Sequence, residues 1–176
     1  MTNPDTTIAR VTVTNGEVAA RDALLRLLAH HVDELCGAVL DADAAGVDPV
    51  APVPSAWSLS GLVKHLAYVH RYWFQQVLTA SATDEDFPWT EDDPDADWRV
   101  EPGETLQQLV SLLRSEHARA AEIVQERSLA QPGEGPDATP TTTAAGVLAH
   151  VLQEVARHAG QLDVVLELRG VVRDGT

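Results

Sequence analysis

The sequence predicts an all-α protein built as a four-helix bundle. Four stretches carry apolar residues at the spacing of one helix face, the segments between them are crowded with Pro, Gly and Asp, and no alternating run is long enough to found a sheet. At roughly 20 to 28 residues each, the four stretches have the length of bundle helices.

The first helix is expected over residues 17–40, where Leu24, Leu25, Leu27, Leu28, Val32, Leu35, Val39 and Leu40 recur at helical spacing and Asn15-Gly16 supplies a start. Residues 41–56 hold Gly46, Pro49, Pro52 and Pro54 and should not continue it. The second helix is expected over 58–78. Ser58 is a good N-cap, and Leu59, Leu62, Val63, Leu66, Val69, Trp73 and Val77 make one apolar face. A long loop, 80–103, follows, with eight Asp and Glu residues between positions 84 and 97 and with Trp89 and Trp98 among or beside them. Its length suggests function or mobility, whereas its charge favours a merely solvated segment. The third helix is expected over 104–128, with Leu106, Leu109, Val110, Leu112, Leu113, Ile123 and Val124 inward. Three prolines and two glycines in 131–140 end it. The fourth helix starts near Thr141 or Thr142, runs to Leu168 with Gly170 as its stop, and turns Val147, Leu148, Val151, Leu152, Val155, Leu162, Val165 and Leu166 to the core. Val11-Thr12-Val13 is the one hint of a strand, too short to found a sheet. The connections after the first two helices are long enough to cross the bundle, so a strict up-down-up-down order is not implied.

The chain has 176 residues, which suits one domain over 1–176 with its core at about 17–170. Its 27 acidic and 12 basic residues give a net charge of −15. Such a surface repels phosphate backbones and anionic bilayers, so neither nucleic acid nor membrane is an expected partner. A single cysteine, Cys36, excludes an internal disulfide and any zinc site of several thiolates, and reads as a small core residue. No apolar run resembles a signal peptide or a membrane span, so a cytoplasmic location is expected. Apolar helix faces would also support a homodimer.

Chemistry concentrates on the fourth helix. On a wheel of about 100° per residue, His150, Glu154 and His158 form a stripe along one margin of the apolar face, each a turn from the next. His65 holds a matching margin on the second helix, between Leu62 and Val69 in projection. His65, Glu154 and His158 converging from two facing helices suit a divalent ion, zinc first and nickel or iron next, with a coordination position left open for catalysis. His150 is then a candidate to orient Glu154 as a hydrogen-bond partner. The same residues also read as an ordinary Glu–His pair and a half-buried histidine, and spacing alone does not choose. His30, His31, His70 and His117 read as surface or margin residues, and Trp57 and Trp73 as packing. Trp89 and Trp98 would either cap a pocket or anchor their loop. No phosphate-binding glycine loop, nucleophile elbow or His-Glu-x-x-His motif is present.

Two segments carry a family resemblance. Trp57-Ser58-Leu59-Ser60-Gly61-Leu62-Val63-Lys64-His65-Leu66-Ala67 resembles the second-helix motif of the DinB-like (DinB/YfiT-like metalloenzyme) superfamily, in which the histidine is a metal ligand. Arg71-Tyr72-Trp73-Phe74 beyond it resembles a subgroup common in high-GC actinobacteria. Glu154-Val155-Ala156-Arg157-His158-Ala159-Gly160-Gln161-Leu162 resembles the superfamily's last-helix motif, with Glu where many members have His, as in the metal domain of mycothiol-dependent maleylpyruvate isomerases. The resemblance spans residues 17–170. It implies an up-down-down-up bundle with His65, Glu154 and His158 as ligands. It also implies a metal-dependent S-transferase or isomerase that uses a small thiol of the mycothiol type and an electrophilic substrate. A non-enzymatic bundle binding a metal or small ligand, and a metal-assisted hydrolase, are the alternatives.

Overall fold

A computed structural model describes residues 14–171; the Val11-Thr12-Val13 run lies outside them. Helix α1 (Asn15–Ala44) starts on Thr14, whose hydroxyl accepts from the Glu17 amide at 3.1 Å. It runs a turn past Leu40 because Asp41 to Ala44 tolerate helix, and the first true breaker is Gly46, at φ +88°. Helix α2 (Leu59–His70) is capped by Ser58 as expected, with Gly61 N–H donating to its hydroxyl at 3.1 Å. Arg71–Val77 continue it as a π-helix, closed by Leu78 N–H donating to Trp73 O at 3.0 Å. Helix α3 (Leu106–Gln125) opens on a capping box of Thr105 and Gln108. Helix α4 (Ala144–Leu168) opens on Thr143 and closes at Gly170, whose φ of +78° serves the expected stop. Among the described residues there is no strand, only isolated bridges at Thr90–Asp93 and Pro132–Thr143.

Contacts between helices fix their directions. Arg21, early in α1, donates to the carbonyl of Gln125 at the end of α3, and Gln107, early in α3, reaches Asp43 at the end of α1. These two helices are antiparallel. Lys64 and then Arg71 reach Glu104 and then Glu116, so α2 and α3 run parallel. His65 and Trp73 meet His158 and His150 in reversed order, so α2 and α4 are antiparallel. The bundle is therefore up-down-down-up.

The core lies where the four apolar faces meet. Leu28, Leu35, Leu62, Leu66, Phe74, Leu113, Leu148 and Leu162 are fully buried in it, and each such side chain contributes about 1.5–3 kcal/mol by leaving water. Cys36 joins them, as its small apolar character suggests, and burial pushes its thiol up to about 11. His70 departs from the surface position expected of it. It is fully buried on the inner side of α2, its Nδ1–H donates to Leu66 O at 2.8 Å, and burial pushes its imidazole down to about 4. His117 on α3 sits against it, ring centroids 5.6 Å apart. A histidine one turn from Leu66 lies on the same helix face, and Phe74, a further turn on, is buried as well. Among the described residues no helix is long and apolar enough to cross a membrane.

Candidate functional site

The antiparallel crossing of α2 and α4 brings the three sequence-predicted residues together. The His65 and His158 rings lie edge to face with centroids 5.3 Å apart. Glu154 sits one turn before His158, its Oε2 3.6 Å from His158 Nε2. The side chains are 17%, 11% and 19% exposed for His65, His158 and Glu154, sheltered but reachable. His150 packs its ring on Trp73, centroids 4.3 Å apart.

Two residues that sequence reasoning missed hold the imidazoles in place. Asp97 Oδ2 lies 2.7 Å from His65 Nδ1, and Gln161 Oε1 lies 2.8 Å from His158 Nδ1. Both partners present an oxygen acceptor, so each Nδ1 donates its proton and each Nε2 is the ring nitrogen turned away from that bond. Burial first, and the nearby His65 second, hold the His158 imidazole below its usual range, so it is neutral at pH 7. Gln161 had a signal in the sequence, since it follows His158 by three positions on one helix face. Asp97 had none beyond its place in the acidic loop.

That loop is not merely solvated. Its 96–98 turn docks on α2 through three positions in one stretch of helix. At Gly61 a Cβ atom would stand 2.3 Å from Trp98 O, so only glycine admits the close approach. Lys64, 2% exposed, donates to Arg99 O at 2.8 Å and to Glu104 Oε2 at 2.9 Å. His65 stacks on Trp98, centroids 3.8 Å apart and planes 16° apart, and bonds to the buried Asp97. The loop thereby becomes one wall of a cleft of about 400 Å³, lined by His65, Val69, Tyr72, Trp73, Trp89, Pro94, Asp95, Asp97 and Trp98. Trp73, Trp89 and Trp98 thus serve the cleft as well as packing.

The π-helix shapes the opposite wall. Arg71 and Gln75 both reach Glu116 on α3, Arg71 through Nε at 3.0 Å and Gln75 through Nε2 at 2.5 Å. Tyr72, between them in sequence, and Trp73 beside it line the cleft. Among the described residues no group of three or more His, Cys, Asp or Glu side chains is placed to hold a metal ion as it stands. The arrangement is an open cleft with His65 in its lining, His158 and Glu154 grouped against His65, and aromatic walls beyond.

Residues 18–170 match the family model described as MST, mycothiol-S-transferase. No curated protein matches the chain.

Proposed function

The chain belongs to the mycothiol S-transferase family, and from that premise we propose that it joins mycothiol, through sulfur, to an electrophilic small molecule, with a divalent metal ion held by His65, Glu154 and His158. The family is a member of the DinB-like superfamily, in keeping with the two helix motifs, and membership implies a small thiol substrate.

One observation supports the metal above the others. His158 Nε2 carries a lone pair and faces Glu154 Oε2 at 3.6 Å, beyond hydrogen-bond reach. A lone pair against a carboxylate is repulsive. Glu154 and His158 would both hold a cation here, and it would turn that repulsion into attraction. The donors, two imidazoles and a carboxylate, suit zinc first and nickel or iron next. Three protein ligands leave a position open. When bound there, the ion would supply the Lewis acidity that lowers the pKa of a thiol and keeps a thiolate present near neutral pH.

The protein's own residues do the positioning. Asp97 and Gln161 hold the rings through their Nδ1 atoms, so that both Nε2 atoms are the ones left for a ligand bond. Trp98 covers one face of His65 against water. The cleft beside His65 receives the acceptor within reach of the thiol. In the reaction the sulfur forms a bond to an electrophilic carbon, the thiol proton passes to solvent, and any leaving group departs with its bonding electron pair.

Elemental analysis of protein purified without an affinity tag, beside His65→Ala, tests the reading. About one zinc or similar ion per chain, lost in the variant, is expected. His158→Ala should also lower mycothiol-dependent turnover by roughly 100-fold or more. Native protein without metal after reconstitution, or full turnover in the variant, overturns it.

A further inference from the structure

The cleft beyond the histidines has a composition that bears on which acceptors it takes. Four of its lining residues, Tyr72, Trp73, Trp89 and Trp98, present aromatic rings. Trp89 is held from behind by Phe87, stacked at 4.5 Å and 21°, and by Tyr68 at 6.0 Å edge to face. It is therefore a fixed wall, suited to a flat ring in the cleft.

The charged side chains around this wall have one sign. Asp95 and Asp97 line the cleft, and none of its lining residues among those described is Lys or Arg. Behind it the Tyr72 hydroxyl donates to Asp137 at 3.3 Å, and Gln76 bridges Asp84 and Asp137. The nearest guanidiniums are engaged elsewhere. Arg71 is held by Glu116 and by the carbonyl of Asp86, and Arg99, though it lies in the field of Asp95, is clamped by Asp93 through both of its terminal nitrogens. Aromatic faces carry negative potential and attract cations. Carboxylates at the rim add to that attraction and repel anions.

We propose that the acceptor subsite selects flat aromatic electrophiles by charge, binding cationic ones most tightly, neutral ones less and anionic ones least, with Trp89 as the stacking surface and Asp95 as the source of the charge preference. That the bound ring is an acceptor rests on the S-transfer reading; the binding order does not.

Isothermal titration with N-methylquinolinium, quinoline and quinoline-3-carboxylate tests this without thiol or turnover, on the full chain freed of metal by a chelator, so that an ion at His65 does not itself draw in the carboxylate or the ring nitrogen. In about 0.5 M NaCl, where the Debye length is roughly 4 Å, the distant charges of the molecule are screened and the local ones remain. The cation should bind about ten-fold more tightly than the carboxylate, with quinoline between them. Trp89→Ala should weaken the cation and quinoline about five-fold or more. Asp95→Asn, a change at an exposed rim position, should shrink the cation-to-carboxylate ratio about three-fold and leave quinoline unchanged. Equal binding of the three probes, no binding, or a preference untouched by both variants overturns the proposal. Turnover of mycothiol with a neutral aromatic halide is measured separately. Probes that bind in the expected order without any turnover sink the transfer reading and leave the binding preference standing.

Discussion

His65 and His158 each commit one ring nitrogen to an oxygen acceptor, and that decides what the other nitrogen can do. The helical members of the site were legible in the sequence, because Glu154 and His158 sit a turn apart and His65 lies on the margin of its own apolar face. Asp97 was not legible. A loop residue has no periodicity, and only the tertiary fold tells which of eight neighbouring carboxylates turns inward. Its role has a direct test. Asp97→Asn retains an acceptor for His65 Nδ1 but removes the charge that fixes the tautomer. Metal affinity, measured by competition with a chromophoric chelator, should fall roughly 10–100-fold while the melting temperature changes little. Unchanged affinity would mean that Asp97 only anchors its loop.

Among the elements, α2 and the acidic segment that docks on it behave as one unit. Gly61, Lys64 and His65 all fasten the stretch from Asp97 to Glu104, and two of the three leave no room or no solvent for alternatives. Gly61→Ala should push Trp98 off the helix at a cost of about 1–3 kcal/mol. Tryptophan emission should shift to the red as that ring meets water, and an unshifted spectrum with unchanged stability would show that the contact is slack. The Ser58 cap of α2 and the Gly170 stop of α4 were readable, whereas the Thr14, Thr105 and Thr143 caps were not singled out and α1 was expected to end at Leu40 rather than at Ala44. The π-helix was not readable. Over seven residues an apolar pattern with one extra residue per turn cannot be told from an α-helical one, and what holds it is the reach of Arg71 and Gln75 to Glu116 on another helix.

For the whole molecule, the four-helix architecture followed from periodicity alone, whereas the order of the helices followed only from family resemblance, since loop length permits several. The stability of the assembled bundle should carry a titration set by His70. Its folded value of about 4 lies below the ordinary 6.5, so between those values the unfolded chain binds the proton and the folded chain does not. Stability contributed by the neutral ring is complete above about pH 6.5 and lost as pH falls toward 4, by roughly 3 kcal/mol across that window. Urea midpoints measured at pH 7 and pH 5 should show this fall, and His70→Leu should reduce it; an equal slope in the variant would assign the effect to other groups, such as His117 and His158, which burial also holds below their usual range. The parallel pairing of α2 with α3 carries a consequence for how the chain assembles. Parallel neighbours cannot be joined by a tight turn, so the linking segment must retrace the length of the bundle, and the helix that completes the histidine pair is the last one in the chain. Contact order is therefore high for an all-helical protein, and folding should be slower than in bundles joined by short hairpins. An intermediate lacking docked α4 would have a hydrophobic groove and His65 but neither Glu154 nor His158, so ligand capture would report on the docking of α4.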